Sequence, residues 1–286
     1  MSFVTYSVAI TIIDFSSQTT LITGASSGIG RALAREIAAR GSDLVLVARR
    51  IERLDALASE LRSTHGIGVE TVSADLSLRR QGTAIREELH RRSVHITSLI
   101  NNAGFGTDGA FENEDPDRLA DEIGVDVAAV VDLSRTFLPD LRAADNGMLI
   151  NVTSEAGYQP IPGMAVYSAS KAFVIAFTEA LWWELRETGI RTLAFAPGLT
   201  ATEFFDQIGA EQYSGTRQTP EQVAAAAIRA IQHRSPGPTA LARPSTAAMS
   251  WAANLLPRRV RLGITARVVD ATQLMRARAS TSSTAR

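Results

Sequence analysis

Tyr167 and Lys171 stand four residues apart in Tyr167-Ser168-Ala169-Ser170-Lys171, and Lys171 is the single lysine among 29 basic residues. On a helix that spacing puts a phenol and an ammonium on one face, about 6 Å apart at Cβ. An ordinary tyrosine holds its proton to about pH 10. A neighbouring positive charge favours phenolate and lowers that value. The pair is therefore a candidate for exchanging a proton with a substrate hydroxyl or carbonyl, an effect worth about 10²–10⁴ in rate. Ser154, thirteen residues before Tyr167, ends the run Ile150-Asn151-Val152-Thr153-Ser154. A hydroxyl at the end of a parallel strand, where ligands collect in such sheets, can hold a reacting oxygen in place.

A second constellation lies near the start. Thr23-Gly24-Ala25-Ser26-Ser27-Gly28-Ile29-Gly30 falls between a short β-branched run, Thr19 to Thr23, and an amphipathic stretch from Ile29 to Arg40. Glycines there let the backbone approach a pyrophosphate, and the helix N-terminus offers free amides to its charge. A dinucleotide carrying a free ribose 2′-OH wants a carboxylate about 20 residues later, at the end of the next strand. This chain has Ala48-Arg49-Arg50 instead. Guanidinium groups suit a 2′-phosphate, so NADP is the expected cofactor and NAD the less suited one.

These residues need a scaffold that gathers them. Asp43 to Ala48, Val69 to Ser73, Ser98 to Asn101, Met148 to Thr153 and Arg191 to Ala196 read as strands. Between them run helical patterns at Ile51 to Ser63, Leu78 to Arg92, Pro116 to Ala143 and Ala165 to Glu187. Strand–helix alternation over this length predicts a parallel sheet covered by helices on both faces. Composition agrees, with 45% hydrophobic and 21% charged residues, the balance of a globular protein. The absence of cysteine excludes disulfides, thiolate nucleophiles and iron–sulfur clusters. The four histidines (His65, His90, His95, His233) show no ligand spacing, so no metal site is expected.

Taken in order, these motifs resemble those of the short-chain dehydrogenase/reductase family, from about Thr19 to Ala240. They are TGASSGIG at Thr23–Gly30, Asp75-Leu76, NNAG at Asn101–Gly104, Ser154, YSASK at Tyr167–Lys171 and Pro197-Gly198. The resemblance implies a single Rossmann-like doubly wound sheet and an NADP(H)-dependent oxidoreductase that interconverts a hydroxyl and a carbonyl. It makes Tyr167 the proton donor or acceptor, Lys171 the group that lowers its pKa and holds the nicotinamide ribose, and Ser154 the stabiliser of the reacting oxygen. It assigns the cofactor to Gly24, Ser26, Ser27, Gly28, Ile29 and Gly30, with Arg49 and Arg50 beside them. It places Asp75 and Leu76 at the adenine, Asn101, Ala103 and Gly104 along the cleft, and Pro197, Gly198, Thr200 and Thr202 beside the nicotinamide. One position departs from the family pattern. Asp126, in Gly124-Val125-Asp126-Val127, stands where the family has an asparagine that helps hold a relay water for the lysine. An aspartate can still accept hydrogen bonds, but its charge could hold Lys171 more firmly protonated.

The rest of the chain bears on substrate and partners. After Pro197-Gly198 the expected substrate lid carries Phe204, Phe205, Ile208 and Tyr213, with Gly209 and Gly215 as hinges. These apolar groups point to a hydrophobic ketone or alcohol, or else only pack the loop down. Within the enzyme class, a 3-oxoacyl-thioester reductase is one assignment, but no residue demands it. Net charge is divided: from Arg229 onward the chain carries +9, and the remainder −10. The basic stretch is expected to be helical and to dock on the acidic body, cover the cleft, meet a second subunit or rest peripherally on an anionic membrane. Nucleic acid is not an expected partner, because no recognised module or interleaved aromatic–basic pattern occurs. The family resemblance implies a homo-oligomer. No run of 18 apolar residues and no secretory signal pattern is present, so a cytoplasmic location is expected. The chain divides into an extension (1–17), the main domain (18–243), a basic helical extension (244–276) and a tail (277–286). A different class of function is also compatible with Asp126 and the basic stretch: a catalytically idle NADP-binding sensor or membrane-surface scaffold.

Overall fold

Seven parallel strands form one sheet in the order β3-β2-β1-β4-β5-β6-β7. The computed structural model describes residues 13–144, 146–204, 216–233, 236–243 and 257–267. The strands are β1 (Thr19–Thr23), β2 (Asp43–Ala48), β3 (Val69–Ser73), β4 (Ser98–Asn101), β5 (Met148–Val152), β6 (Arg191–Ala196) and β7 (Thr239–Leu241). The helices are α1 (Gly28–Ala38), α2 (Ile51–His65), α3 (Gln81–Arg91), α4 (Pro116–Ile123), α5 (Ala129–Ala143), α6 (Ala165–Leu185) and α7 (Pro220–Gln232).

Alternation along each strand sends successive side chains to opposite faces. Ile22, Leu44 and Leu46 join the core shared with α1, α2 and α7. Their neighbours Leu21, Val45 and Val47 join the core shared with α3 and α5. Both faces are thereby covered, which is why the strands read as near-continuous apolar runs. The order of strands reverses direction between β1 and β4, and the crevice beyond that switch point is where such sheets hold their ligands.

Helix ends follow local chemistry. Asp115 caps α4 by accepting from the Asp117 amide, with Pro116 in the first turn. Thr219 and Gln222 close a reciprocal capping box on α7. Gly66 ends α2 at φ 67°, a conformation glycine adopts without strain.

The structure revises several boundaries. α3 begins at Gln81 rather than Leu78, and α6 ends at Leu185. The single helix expected over Pro116 to Ala143 is broken into α4, a π-helical turn at Gly124–Ala128 and α5. Gly124 lies so close to the Ser77 carbonyl that a Cβ there would come within 2.9 Å of it. Such close packing, together with one extra residue in the turn, re-aims the side chains that follow, as π-turns do at functional sites. Neither α7 nor β7 is expected from the sequence: the alanine-rich Val223–Ile228 stretch and a three-residue, half-buried strand carry little periodic signal. Residues 258–267 are helical, in agreement with a helical extension. Residues 244–256 and 268–276, and residues 1–12, lie outside the described residues.

Candidate active site

The C-terminal ends of six strands open into one cleft of about 970 Å³. On its β1 side Gly24, Ser26, Ser27, Gly28 and Ile29 line the wall, followed by Ala48, Arg49 and Arg50 beyond β2 and Asp75 and Leu76 beyond β3. Ser154, Tyr167, Lys171, Pro197, Gly198, Thr200 and Thr202 line the other side. Segments far apart in the chain are thus brought to one crevice by the sheet alone.

The glycine turn is tied to the end of β4. Thr23 Oγ1 accepts from the Asn102 and Ala103 amides at 2.9 and 3.0 Å, and Asn102 Nδ2 donates to the Thr23 carbonyl at 2.9 Å. Two expected contacts fall elsewhere. Asn101 does not line the cleft: buried in the sheet, its Nδ2 donates to Asn151 Oδ1 and Ser134 Oγ at 2.8 and 3.1 Å. A last strand residue in the pleat points into the helix layer, and its successor Asn102 faces the cleft with Ala103 and Gly104. Gly30 likewise stands back from the opening. A Cβ on it would lie 2.3 Å from the Gly24 carbonyl oxygen, so its place is helix–turn packing.

Arg50 bridges the turn and the loop after β6. Its guanidinium donates to Ser27 Oγ at 3.0 Å and Ser26 Oγ at 3.2 Å, and to Glu203 Oε2 at 2.9 Å. Arg53 donates to the other oxygen of Glu203 at 2.7 Å. The two arginines hold the Glu203 carboxyl below its usual range, their hydrogen bonds and charge outweighing partial burial.

Tyr167 and Lys171 meet at the floor of the cleft, with Asp126 behind them. Lys171 Nζ lies 5.5 Å from the centroid of the Tyr167 ring, as the spacing on α6 required. Asp126 Oδ2 lies 2.9 Å from Lys171 Nζ, and its Oδ1 accepts from the Phe105 amide at 3.1 Å. The contact is a buried ion pair. Asp126 is fully buried and stands behind Lys171, not in the cleft. Burial alone would lower the Lys171 pKa, but Asp126, Tyr167 and Glu122 together raise it above its ordinary value.

For Tyr167 the expected direction is reversed. Burial raises its pKa, Lys171 lowers it, and Asp126 raises it again, leaving the phenol above its ordinary value of 10. Ser154, whose Oγ accepts from the Ala156 amide at 3.1 Å, acts to lower it. The departure at Asp126 points to a carboxylate holding Lys171 protonated, and the 2.9 Å pair with its raised ammonium agrees with that expectation.

Over this floor, Phe204 packs on Tyr167 with ring centroids 5.3 Å apart. Ile161, Met164, Leu199 and Ile264 add apolar wall. Ile264 and its neighbour Thr265 come from helical residues 258–267, and Thr265 Oγ1 meets Gln159 Oε1 at 3.4 Å. Phe205, Ile208, Gly209, Tyr213 and Gly215 of the expected lid lie outside the described residues. Among the described residues no cluster of His, Asp and Glu could hold a metal ion, and no helix is long and apolar enough to cross a membrane.

A family model for short chain dehydrogenase matches residues 18–213. The chain is 31% identical over 241 residues to a very-long-chain 3-oxoacyl-CoA reductase of Anas platyrhynchos, covering 83% of this chain and 75% of that one. It is 33% identical over 232 residues to an NADP-dependent 3-hydroxy acid dehydrogenase of Schizosaccharomyces pombe, covering 76% of this chain and 88% of that one. Its fold matches a short-chain dehydrogenase from Sphingobium yanoikuyae solved in complex with NADPH, with TM-score 0.75 and 34% identity over 83% of this chain and 92% of that one. The doubly wound sheet, its cleft and these matches together place the chain among the NADP-dependent oxidoreductases. Within that class the chain belongs to the short-chain dehydrogenase family.

Proposed function

We propose that the protein is an NADP(H)-dependent reductase or dehydrogenase that interconverts a hydroxyl and a carbonyl on an apolar substrate, with Tyr167 as the proton-transfer group. The observation that carries this reading is the convergence of Tyr167, Lys171 and Ser154 on the cleft that begins at the glycine turn. The donor set fits an NADP molecule: turn amides for pyrophosphate, and Ser26, Ser27, Arg49 and Arg50 for a 2′-phosphate. Glu203 now occupies Arg50 and Arg53 with an anionic group, as a phosphate would. When bound, the nicotinamide supplies or accepts the hydride.

The chain's own residues do the rest. Ser154 orients the reacting oxygen by its hydroxyl. Tyr167 gives that oxygen a proton in reduction and takes one in oxidation. Phe204 and Met164, with Ile264 at the rim, favour apolar substituents. The position of Ile264 and Thr265 favours the cleft-covering role for the basic stretch over a membrane role. The names of the relatives make 3-oxoacyl and 3-hydroxyacyl compounds the first substrates to screen, with bulky apolar ketones beside them.

Titration calorimetry with NADPH and NADH on wild type, Arg50→Ala and Tyr167→Phe tests the reading, followed by turnover of that panel. Arg50→Ala is expected to weaken NADPH about tenfold or more and leave NADH nearly unchanged, as for a lost charge-assisted contact. Tyr167→Phe is expected to keep NADPH binding and lose about 10²–10⁴ in kcat. NADPH binding without turnover of any carbonyl would leave the idle-sensor reading standing. Failure of both nucleotides to bind would overturn both readings.

A further inference from the structure

Behind Lys171 the chain buries a second carboxylate that the proton transfer described above does not use. Glu122 is fully buried at the end of α4, four residues before Asp126. Thr107 stands close enough to influence the carboxyl, yet neither oxygen has a partner with hydrogen-bond geometry. The π-helical turn Gly124–Ala128 carries Asp126 inward onto Lys171, so two fully buried acids stand behind an ammonium that borders the cleft. Gly104 packs tightly against it: a Cβ there would lie 2.9 Å from both Asp126 Oδ1 and Lys171 Nζ.

We propose that Asp126, seconded by Glu122, cancels the charge of Lys171 so that Tyr167 keeps its proton, making both acids positioning residues that hold the phenol as a donor. The inference rests on the reading of Tyr167 as the proton-transfer group. An unopposed ammonium 5.5 Å from the ring would favour phenolate; an ammonium paired at 2.9 Å presents the ring with a nearly neutral dipole. The charged groups facing the phenol are Lys171 from α6, Asp126 from the π-helical turn and Glu122 from α4, and the last two act in the same direction. In reduction, the Tyr167 O–H bond breaks and the carbonyl oxygen gains the proton, while the carbonyl carbon accepts hydride from a dihydronicotinamide. The phenolate then regains a proton from solvent. A phenol held in its protonated form keeps this step available to alkaline pH. It also moves the reverse step, abstraction from an alcohol, to more alkaline pH.

The decisive experiment reads the phenol itself. The chain has four tyrosines, and subtracting a Tyr167→Phe variant isolates one of them in an ultraviolet phenolate titration of the cofactor-free protein. Asp126→Asn is expected to bring the Tyr167 phenolate up at least one pH unit earlier than wild type. Glu122→Gln is expected to do so by a smaller step, and Asp126→Glu to stay near wild type. Tyr167 titrating in Asp126→Asn together with wild type, or later, overturns the proposal. Should Asp126→Asn fail to fold, an unmoved titration in Glu122→Gln overturns it instead. The same variants, assayed with NADPH and any ketone that turns over, are expected to lose reductase activity at correspondingly lower pH. A shifted phenolate in a protein that turns nothing over would uphold the charge cancellation and sink the enzymatic reading, so the two failures are distinguishable.

Discussion

Glu122 should leave a mark on stability as well as on chemistry. Its carboxyl is pushed up to about 7, first by burial and then by Asp126, against the pull of Thr107 and Lys171. In the unfolded chain it releases its proton near the ordinary carboxylate value, so the folded state binds more protons between the two. Stability tied to this group is therefore whole below the unfolded value and lost as pH rises through about 7. The loss is at most about 3.5 kcal/mol, since a tenfold difference in proton affinity between the two states is worth about 1.4 kcal/mol. Glu122→Gln should flatten the dependence of Tm on pH between about 5 and 8, gaining on wild type at the alkaline end. Equal pH slopes in the two proteins would show that the carboxyl titrates as if in water. At this scale the sequence was readable where a motif couples type to spacing. Tyr167, Lys171, Ser154 and the glycine turn, Gly30 apart, line the cleft. It was opaque where burial decides, because nothing about Glu122 as a letter separates it from its exposed neighbour Asp121.

Among the elements, the π-helical turn has the largest consequence for its length. It exists where Gly124 lets the helix approach Ser77, and it sets the direction of Asp126. Gly124→Ala would place a methyl 2.9 Å from the Ser77 carbonyl. Relief by a backbone shift should cost about 1–3 kcal/mol, read as a lower denaturant midpoint with an unchanged slope. Gly263→Ala, at a helical position with open space around it, is the matched control and should be neutral or mildly stabilising. A Gly124→Ala midpoint equal to that of the control would remove the packing argument. Periodicity could not have exposed the turn, because one extra residue in 28 barely disturbs a 3.6-residue repeat. The strands were the most legible elements, since burial on both faces leaves runs such as Asp43-Leu44-Val45-Leu46-Val47-Ala48 with little ambiguity.

At the scale of the whole molecule, the sheet order brings residues from 24 to 204 to one rim, and the fold was legible because the motifs recur in chain order at strand ends. Contacts across the rim were not legible. The Arg50–Glu203 pair spans 153 positions, and no local pattern announces a partner that far away. The burial of Lys171 has a practical meaning for anyone who handles this protein. Its ε-amine is the only one in the sequence, and the residue is 4% exposed. The folded surface therefore offers no lysine to acylating dyes, amine-coupling resins or formaldehyde. Modification of Lys171 becomes a clock for opening of the active-site floor, and peptide mapping under a succinimidyl ester, which separates Lys171 from the terminal α-amine, should find it unmodified until denaturant is added. Rapid acylation of Lys171 in native buffer would mean that the floor breathes far more freely than its packing suggests.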